Sequence, residues 1–177
     1  TDENIENSSR DLIATVRSAV EAGVKLIQLR EKRLSAKNLY ELALEMAAAT
    51  RNSETRLLIN DRADIAAAVG ADGVHLTSIS LRAAIVRKAF GKEMLIGLSA
   101  HSDADVQYAA GSGADFAVLG PVFATPDKEQ PIGVEKLRSI CTSAGSFPVL
   151  ALGGIDNSNF QSVIGAGATG FAAIRSL

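Results

Sequence analysis

Short apolar runs alternate along the chain with longer, alanine-rich stretches in which apolar residues recur every three or four positions. The short runs predict buried β-strands, and the longer stretches predict amphipathic helices. Regular alternation of the two is typical of a parallel sheet with crossover helices. The predicted strands are Lys25 to Arg30, Arg56 to Asn60, Gly73 to Leu76, Leu95 to Ser99, Phe116 to Gly120, Pro148 to Leu152 and Gly170 to Ile174.

Helix boundaries are marked by residues that commonly cap helices. Ser35 and Asp156 are candidate N-caps, and Gly23, Gly70 and Gly113 follow helices at positions where a left-handed residue is common. The predicted helices are Ser8 to Ala22, Ser35 to Arg51, Ala63 to Val69, Leu81 to Phe90, Ala104 to Ser112, Val134 to Ser143 and Asn157 to Ile164.

A weak internal repeat supports a barrel, because four times a helix end with Gly or Ala leads directly into a strand. The four copies are Ala22-Gly23-Val24, Gly70-Ala71-Asp72-Gly73-Val74, Gly113-Ala114-Asp115-Phe116 and Gly167-Ala168-Thr169-Gly170-Phe171. We therefore predict one α/β domain over residues 1–177, a (β/α)₈ TIM barrel. Such a barrel needs about 200 residues, so we expect the first strand to be missing, and a last helix after Leu177 is the second candidate for a missing element. An open seven-stranded sheet is the alternative.

Composition narrows the class of protein. The 177 residues carry 18 Lys and Arg against 20 Asp and Glu, a formal net charge of -2 that does not favour binding to nucleic acid or an anionic membrane. One cysteine and two histidines provide neither a disulfide nor a zinc cluster, and no apolar run approaches the roughly 18 residues of a spanning helix. We expect a cytosolic enzyme or binding protein.

The first predicted strand ends in alternating polar residues. Gln28, Arg30 and Lys32 are separated by single residues, so the side-chain period of two places all three on one side. Carboxyl ends of parallel strands carry the active sites of α/β folds, and an amide with two cations there suggests a phosphate or diphosphate clamp. A solvated strand end with ordinary salt bridges is an equally weighted alternative.

The next strand ends in Asn60-Asp61. The Asp61 carboxylate could hold Mg²⁺ on a substrate diphosphate, and Asn60 offers a neutral amide. The alternative, favoured if the motif stood alone, is that Asp61 caps the helix beginning near Ala63.

Both histidines lie at or near predicted strands. His75, inside Gly73 to Leu76, is more simply a packing residue than a catalyst. His101 leaves the strand after Ser99 and could shuttle a proton near neutral pH, although Ser102 or Asp103 could simply begin a helix there.

Two further loops carry candidate ligands for phosphate. The proline-rich loop 121–133 includes Thr125 and Lys128 and could form a mobile lid over a phosphorylated ligand, with a plain surface connection as the alternative. In barrels the loops after strands seven and eight commonly bind phosphate. A tight turn would explain Gly153 and Gly154 but not a downstream Arg and Ser, at positions 175 and 176.

Six short motifs follow one another at barrel spacing: Gln28-Leu29-Arg30-Glu31-Lys32, Ile59-Asn60-Asp61-Arg62, Gly73-Val74-His75-Leu76, Ser99-Ala100-His101, Gly120-Pro121-Val122-Phe123-Ala124-Thr125 and Gly153-Gly154-Ile155. In this order they resemble the thiamine phosphate synthase and TenI family over essentially the whole chain. In that family a strand ending in Thr-Asp precedes the first helix. Thr1-Asp2 is similar to its tail, in agreement with a missing first strand.

The resemblance implies an enzyme that joins hydroxymethylpyrimidine diphosphate to thiazole phosphate, releasing diphosphate and giving thiamine phosphate. The partners of this enzyme would then be small phosphorylated pyrimidine and thiazole compounds. The resemblance leaves the oligomeric state open. Site residues follow by analogy: the diphosphate would be bound by Gln28, Arg30, Lys32, Asn60 and Lys128, Mg²⁺ by Asp61, the substrates by Ser99 and Thr125, and the thiazole phosphate by Gly153, Gly154, Arg175 and Ser176. Metal and cations would stabilise the departing diphosphate.

Three positions depart from the family pattern. Ser80 stands where the synthases have an acidic metal ligand, Asp127 replaces a common hydroxyl, and Arg175 replaces a serine. These changes keep open a TenI-type thiazole tautomerase, which would use His101 and need no Mg²⁺. A non-catalytic regulatory relative that binds thiazole phosphate is the third hypothesis.

Overall fold

The computed structural model describes residues 2–125 and 130–173, with side chains from residue 11 onward. Seven helices alternate with seven strands across this part of the chain. The helices are α1 (Asp2–Glu21), α2 (Ala36–Thr50), α3 (Ala63–Val69), α4 (Ala83–Phe90), α5 (Asp103–Gly111), α6 (Gly133–Ala144) and α7 (Phe160–Gly165). The strands are β1 (Leu26–Leu29), β2 (Arg56–Asn60), β3 (Gly73–Leu76), β4 (Leu95–Ala100), β5 (Phe116–Leu119), β6 (Val149–Leu152) and β7 (Gly170–Ala172).

The chain divides into two compact units. The first comprises Thr1–His75 and Ala89–Leu95, and the second comprises Leu76–Lys88 and Ile96–Leu177. In the first unit β1 pairs with β2 and β2 with β3, and in the second β4, β5, β6 and β7 pair in chain order. These pairs are parallel, as the alternating pattern predicts.

The first unit buries its core between β2 and the apolar stripe of α2. Leu57, Leu58 and Ile59 are almost completely buried, which explains why β2 is a continuous apolar run. On α2 the buried residues recur at helical spacing, and Ser35 caps the helix by accepting a hydrogen bond from the Asn38 N–H at 3.2 Å. Gly70 ends α3 in the left-handed conformation, with φ of +69°.

The second unit is organised in the same way. Its core includes Ile96 on β4, Leu119 on β5, and Leu137 and Ile140 on α6, and none of these residues is more than 1% exposed. Burial of such side chains is the main favourable term in folding. Across the described residues, no helix combines the length and the apolar content needed to cross a membrane.

Two helix starts differ from the prediction. Helix α1 begins at Asp2 rather than near Ser8, because neither Gly nor Pro interrupts the preceding residues. Helix α7 begins at Phe160, and Asp156 is not its N-cap. The Asp156 carboxylate instead accepts hydrogen bonds from the N–H and the hydroxyl of Ser158, at 2.8 and 2.6 Å, and this local turn delays the helix.

Candidate functional site

Three neighbouring strands of the first unit end in polar residues on one face. Gln28 pairs with Leu58, and Asn60, two residues further along β2, pairs with His75. Paired residues of parallel strands share a face, and residues two apart on a strand do so too. The side chains of Gln28, Asn60 and His75 therefore line the same face, with Arg30 directly after the end of β1.

His75 is the buried member of this row. Its side chain is only 4% exposed. Burial, assisted by the positive charge of Arg30, lowers the pKa of His75 to about 4, so that the imidazole is neutral at pH 7. Packing was the simpler prediction for this residue, and its burial agrees. The charge of Arg30, directly after β1, is therefore close enough to affect the imidazole on β3.

Asn60 and Asp61 combine an unpartnered atom with an unusual backbone. Among the described residues, the buried Oδ1 of Asn60 has no hydrogen-bond partner. Asp61 has φ of +61°, the one positive value among the described residues other than glycine, and its N–H donates to the His75 carbonyl at 2.9 Å. Such conformations cost free energy and cluster at functional sites.

The prediction that Asp61 caps α3 is wrong. Arg62 holds the N-cap position and makes no side-chain capping hydrogen bond. Its guanidinium instead donates to both carboxylate oxygens of Asp64, at 2.8 and 2.7 Å. This hydrogen-bonded pair lowers the pKa of Asp64 and raises the pKa of Arg62. The left-handed backbone of Asp61 turns the chain before the helix begins, so its carboxylate is not used for capping.

The donor set beside β2 suits a hard cation. Mg²⁺ prefers carboxylate and amide oxygens and is commonly held by one or two carboxylates together with substrate phosphates and water. The exposed Asp61 carboxylate and the unpartnered Asn60 Oδ1 supply two such oxygens on consecutive residues. Across the described residues, no group of three or more His, Cys, Asp or Glu side chains could hold a metal ion. Asn60 and Asp61 therefore fit a metal that also depends on its substrate for ligands.

Ser80, the residue in the place of the expected second carboxylate, is used within its own turn. Its hydroxyl accepts from the Thr77 N–H at 2.8 Å and lies 3.1 Å from the Thr77 hydroxyl. Ser80 thus closes the loop after β3.

In the second unit, two candidate residues lie two positions apart where β4 ends. Ser99 pairs with Val118 of β5, and His101 lies just past the strand. Ser102 is the N-cap of α5, as one alternative predicted, and accepts from the Asp105 N–H at 3.2 Å. The His101 N–H donates to the Asp105 carboxylate at 2.9 Å, and its Nδ1 lies 2.6 Å from the Gly120 carbonyl oxygen.

Asp105 is held as a carboxylate by these contacts. Burial would raise its pKa, but hydrogen bonds from the backbone of His101 and from Ser102 outweigh burial and keep the pKa of Asp105 below its ordinary value. Asp105 thus fixes the backbone at which the chain leaves β4. The sequence did not predict a role for Asp105 or a bond from His101 to Gly120, although Gly120 begins one of the six motifs, because these bonds form only in the folded chain.

Gly153 and Gly154 are required by the close approach of the segment after β5. Their φ values are +103° and +62°. A β-carbon on Gly153 would lie 2.6 Å from Pro121 Cβ, and one on Gly154 would lie 2.7 Å from the Ala124 carbonyl oxygen. Backbone conformation and close packing therefore account for both glycines, as the tight-turn alternative predicted. Gly154 is also exposed, and Asn159 fixes its carbonyl with a hydrogen bond of 2.8 Å.

The predicted residues that the structure describes are divided between the two units, and those of each unit are called a cluster below. The first-unit cluster contains Gln28, Arg30, Asn60, Asp61 and, further along the loop, the exposed Lys32. The second-unit cluster contains Ser99, His101, Thr125, Gly153 and Gly154. Four residues named in the predictions lie outside the described residues: Asp127, Lys128, Arg175 and Ser176.

A family model described as thiamine monophosphate synthase matches residues 1–177. The chain belongs to the thiamine monophosphate synthase family. A relative from Geobacter sulfurreducens is 45% identical over 171 residues, which cover 95% of this chain and 80% of that protein. The thiamine-phosphate synthase of Chloroflexus aurantiacus is 39% identical, with 93% of this chain and 76% of that protein covered. In the longer thiamine-phosphate synthase of Gloeobacter violaceus the identity is 41%, and the match spans 49% of that protein.

A solved structure agrees with this membership. Thiamine phosphate pyrophosphorylase from Pyrococcus furiosus matches with a TM-score of 0.84 and 34% identity over 92% of this chain and 78% of that one. The predicted α/β fold class of TIM-barrel type is confirmed. The names within the thiamine monophosphate synthase family also confirm the predicted transferase class, and they do not favour the tautomerase or the non-catalytic relative.

Proposed function

We propose that the chain joins hydroxymethylpyrimidine diphosphate to thiazole phosphate, releasing diphosphate and forming thiamine phosphate. The observation that carries this proposal is the pair Asn60 and Asp61, where a buried amide oxygen without a described partner adjoins a carboxylate in a left-handed backbone. Family membership supports the reaction, and this pair supplies the oxygen ligands that a metal-bound diphosphate requires.

The first-unit cluster binds the diphosphate in this proposal. Arg30 provides a fork of N–H donors and Lys32 a compact charge, both exposed at the end of β1. Gln28 and Asn60 provide neutral amides, and Lys128 would add a further cation. His75 stays neutral near Arg30, so the imidazole adds no positive charge that would repel the guanidinium.

Asp61 and Asn60 would hold Mg²⁺ in this cluster. When bound, Mg²⁺ neutralises charge on the departing diphosphate. Arg30 and Lys32 act on the same developing charge, because donors oriented in advance toward a leaving group stabilise the transition state more than the ground state.

The second-unit cluster binds the thiazole phosphate. Gly153 and Gly154 can approach an anion closely because they lack side chains, and the exposed Gly154 brings backbone polar groups to the surface. Arg175 and Ser176 would complete this phosphate site, while Ser99 and Thr125 would contact the substrates. The reaction belongs in the cytosol, consistent with a single, buried and unpaired cysteine, Cys141.

An end-point assay with both phosphorylated substrates tests the proposal. Thiamine phosphate is detected after oxidation to its fluorescent derivative, with and without Mg²⁺. We expect product that depends on Mg²⁺. Folded protein that binds thiazole phosphate yet forms no product with Mg²⁺ would overturn the synthase proposal.

A matched pair of lysine variants sharpens this assay. We expect Lys32→Ala to reduce kcat/KM about 100-fold, because a cation on the leaving group is lost. Lys37→Ala removes an exposed lysine that pairs with Glu41 on α2, and it should leave turnover at the wild-type value. Equal activity of the two variants would contradict the role of Lys32.

A further inference from the structure

His101 joins the end of β4 to the end of β5 through its ring. Its Nδ1 lies 2.6 Å from the carbonyl oxygen of Gly120. A carbonyl can only accept, so Nδ1 carries the proton and donates it. At the same residue the backbone N–H is bound to the Asp105 carboxylate at 2.9 Å, which fixes the position from which the ring reaches Gly120.

Gly120 is held at both of its backbone polar groups by the end of β4. Its N–H donates to the Ala100 carbonyl at 3.1 Å, and its carbonyl accepts from the His101 ring. Gly120 directly follows β5 and is the first residue of the segment that leads to Thr125. The path of that segment is therefore set at its first residue.

The same segment is bonded at its next residues to the end of β6. The Val122 and Phe123 N–H groups donate to the carbonyls of Leu152 and Gly153, at 2.8 and 3.0 Å. These bonds hold the segment against the two glycines whose geometry depends on its close approach. The His101 ring thus adds a side-chain hydrogen bond to the backbone bonds that hold residues 120–123.

We propose that His101 is a positioning residue, whose Nδ1–H holds the Gly120 carbonyl and thereby sets the segment 120–125 against Gly153 and Gly154, where the thiazole phosphate binds. This inference rests on the proposed function for the identity of the ligand. It differs from the proton-shuttle role considered from sequence, because the essential group is a fixed donor at Nδ1 and no proton is transferred.

Three substitutions separate a fixed donor from a proton shuttle. His101→Asn places an amide where Nδ1 lies and keeps a donor for Gly120, but it cannot shuttle protons. His101→Gln places its amide nearer the position of Nε2, and His101→Ala has no donor. We expect His101→Gln and His101→Ala to raise the KM for thiazole phosphate about tenfold, with kcat within about threefold of wild type, and His101→Asn to restore a near-wild-type KM.

Amide hydrogen exchange provides a readout that does not require activity. The Val122 and Phe123 amides should exchange about tenfold faster in His101→Ala and His101→Gln than in wild type, but not in His101→Asn. Gln107→Ala is the control, because Gln107 lies on the neighbouring helix α5 and its side chain bonds Ser143 at 3.0 Å, away from this segment. It should change neither exchange nor KM.

Two results would overturn the inference: a kcat that falls as far in His101→Asn as in His101→Ala, or wild-type exchange and KM in all three variants. Absence of thiamine phosphate formation by the wild-type protein would instead overturn the proposed function. The exchange pattern would then still decide whether His101 holds the segment.

Discussion

Two aspartates, one at each end of the β2–β3 pair, differ in almost every respect. Asp72 precedes β3, and its carboxylate accepts from the Arg56 guanidinium at 2.6 Å and from the Leu57 N–H at 2.8 Å. Asp61 follows β2 with a left-handed backbone, next to an amide oxygen that no described group satisfies. Satisfied polar groups stabilise a fold, whereas strained or unsatisfied ones persist where function requires them.

The second unit repeats the stabilising arrangement. Asp115 precedes β5, and its carboxylate accepts from the Ile96 N–H and from Arg87, both at 2.7 Å. The Gly-Ala-Asp repeat therefore has a physical meaning, because each aspartate ties its strand to the preceding one. The last copy has Thr169, which lacks a carboxylate. Its backbone N–H donates to the Val149 carbonyl at 2.9 Å, as the Asp72 and Asp115 N–H groups donate to the Leu57 and Ile96 carbonyls.

The cavities of the first unit follow the same division. A cavity of about 470 Å³ lies at the end of the β2–β3 pair that carries Asp72, which we call the stabilising end. It is lined in part by Arg56, Asp72, Phe90 and Met94. The charged pair of Arg56 and Asp72 is satisfied by mutual contact and by the backbone. A cavity by itself therefore does not mark the end of the sheet that carries the strained and unsatisfied groups.

Replacing the aspartate at the functional end should have the largest effect. Asp61→Asn keeps the size of the side chain but removes its charge, and we expect kcat to fall about 100- to 1,000-fold. Thermal unfolding should stay within about 2 °C of wild type, because the Asp61 carboxylate makes no described stabilising bond. Wild-type kcat in Mg²⁺ would contradict the assignment of Asp61.

Lowering the pH should reduce the free energy of unfolding, because His75 is buried as a neutral imidazole. Because its folded pKa, about 4, lies below the ordinary 6.5, the unfolded chain takes up a proton first as the pH falls. Stability contributed by His75 is present above pH 6.5 and should fall by about 3 kcal/mol between there and pH 4. Urea unfolding at pH 7 and 4.5 measures this loss. His75→Asn cannot take up the proton and should lose less, and an equal loss would show that other groups cause it.

Replacing the aspartate at the stabilising end should affect stability instead. Asp72→Ala leaves the Leu57 N–H unsatisfied, and we expect the free energy of unfolding to fall by about 2 kcal/mol. At a temperature where the variant is fully folded, kcat should remain close to wild type. Asp115→Ala is the matched variant in the second unit and should show a loss of similar size. A lower kcat with an unchanged free energy of unfolding would contradict the assignment of Asp72 to stability rather than to catalysis.

The smallest effect should come from relieving the backbone strain at Asp61. Glycine adopts a positive φ without steric cost, so Asp61→Gly should raise the free energy of unfolding by up to about 1 kcal/mol while it abolishes turnover. Equilibrium unfolding in urea measures the gain. A clear loss of stability would mean that the Asp61 side chain supports the fold as well as the site.

Much of this protein followed from local patterns in its sequence. The alternation of elements, the Ser35 and Gly70 caps and the six ordered motifs each depend on neighbouring residues, so they predicted the fold class and the family. Asp156 misled the prediction of α7 because a local turn and an N-cap use the same carboxylate oxygens.

Contacts between distant residues decided the rest. Burial of His75 and its low pKa depend on the surrounding protein, which removes water from the imidazole. The donation from His101 to Gly120 joins residues 19 positions apart, and the bond from Leu57 to Asp72 joins residues 15 apart. Residue type and spacing determine which groups can reach a strand end. Desolvation and long-range hydrogen bonding, which exist only in the folded chain, decide which of those groups are satisfied and which remain for chemistry.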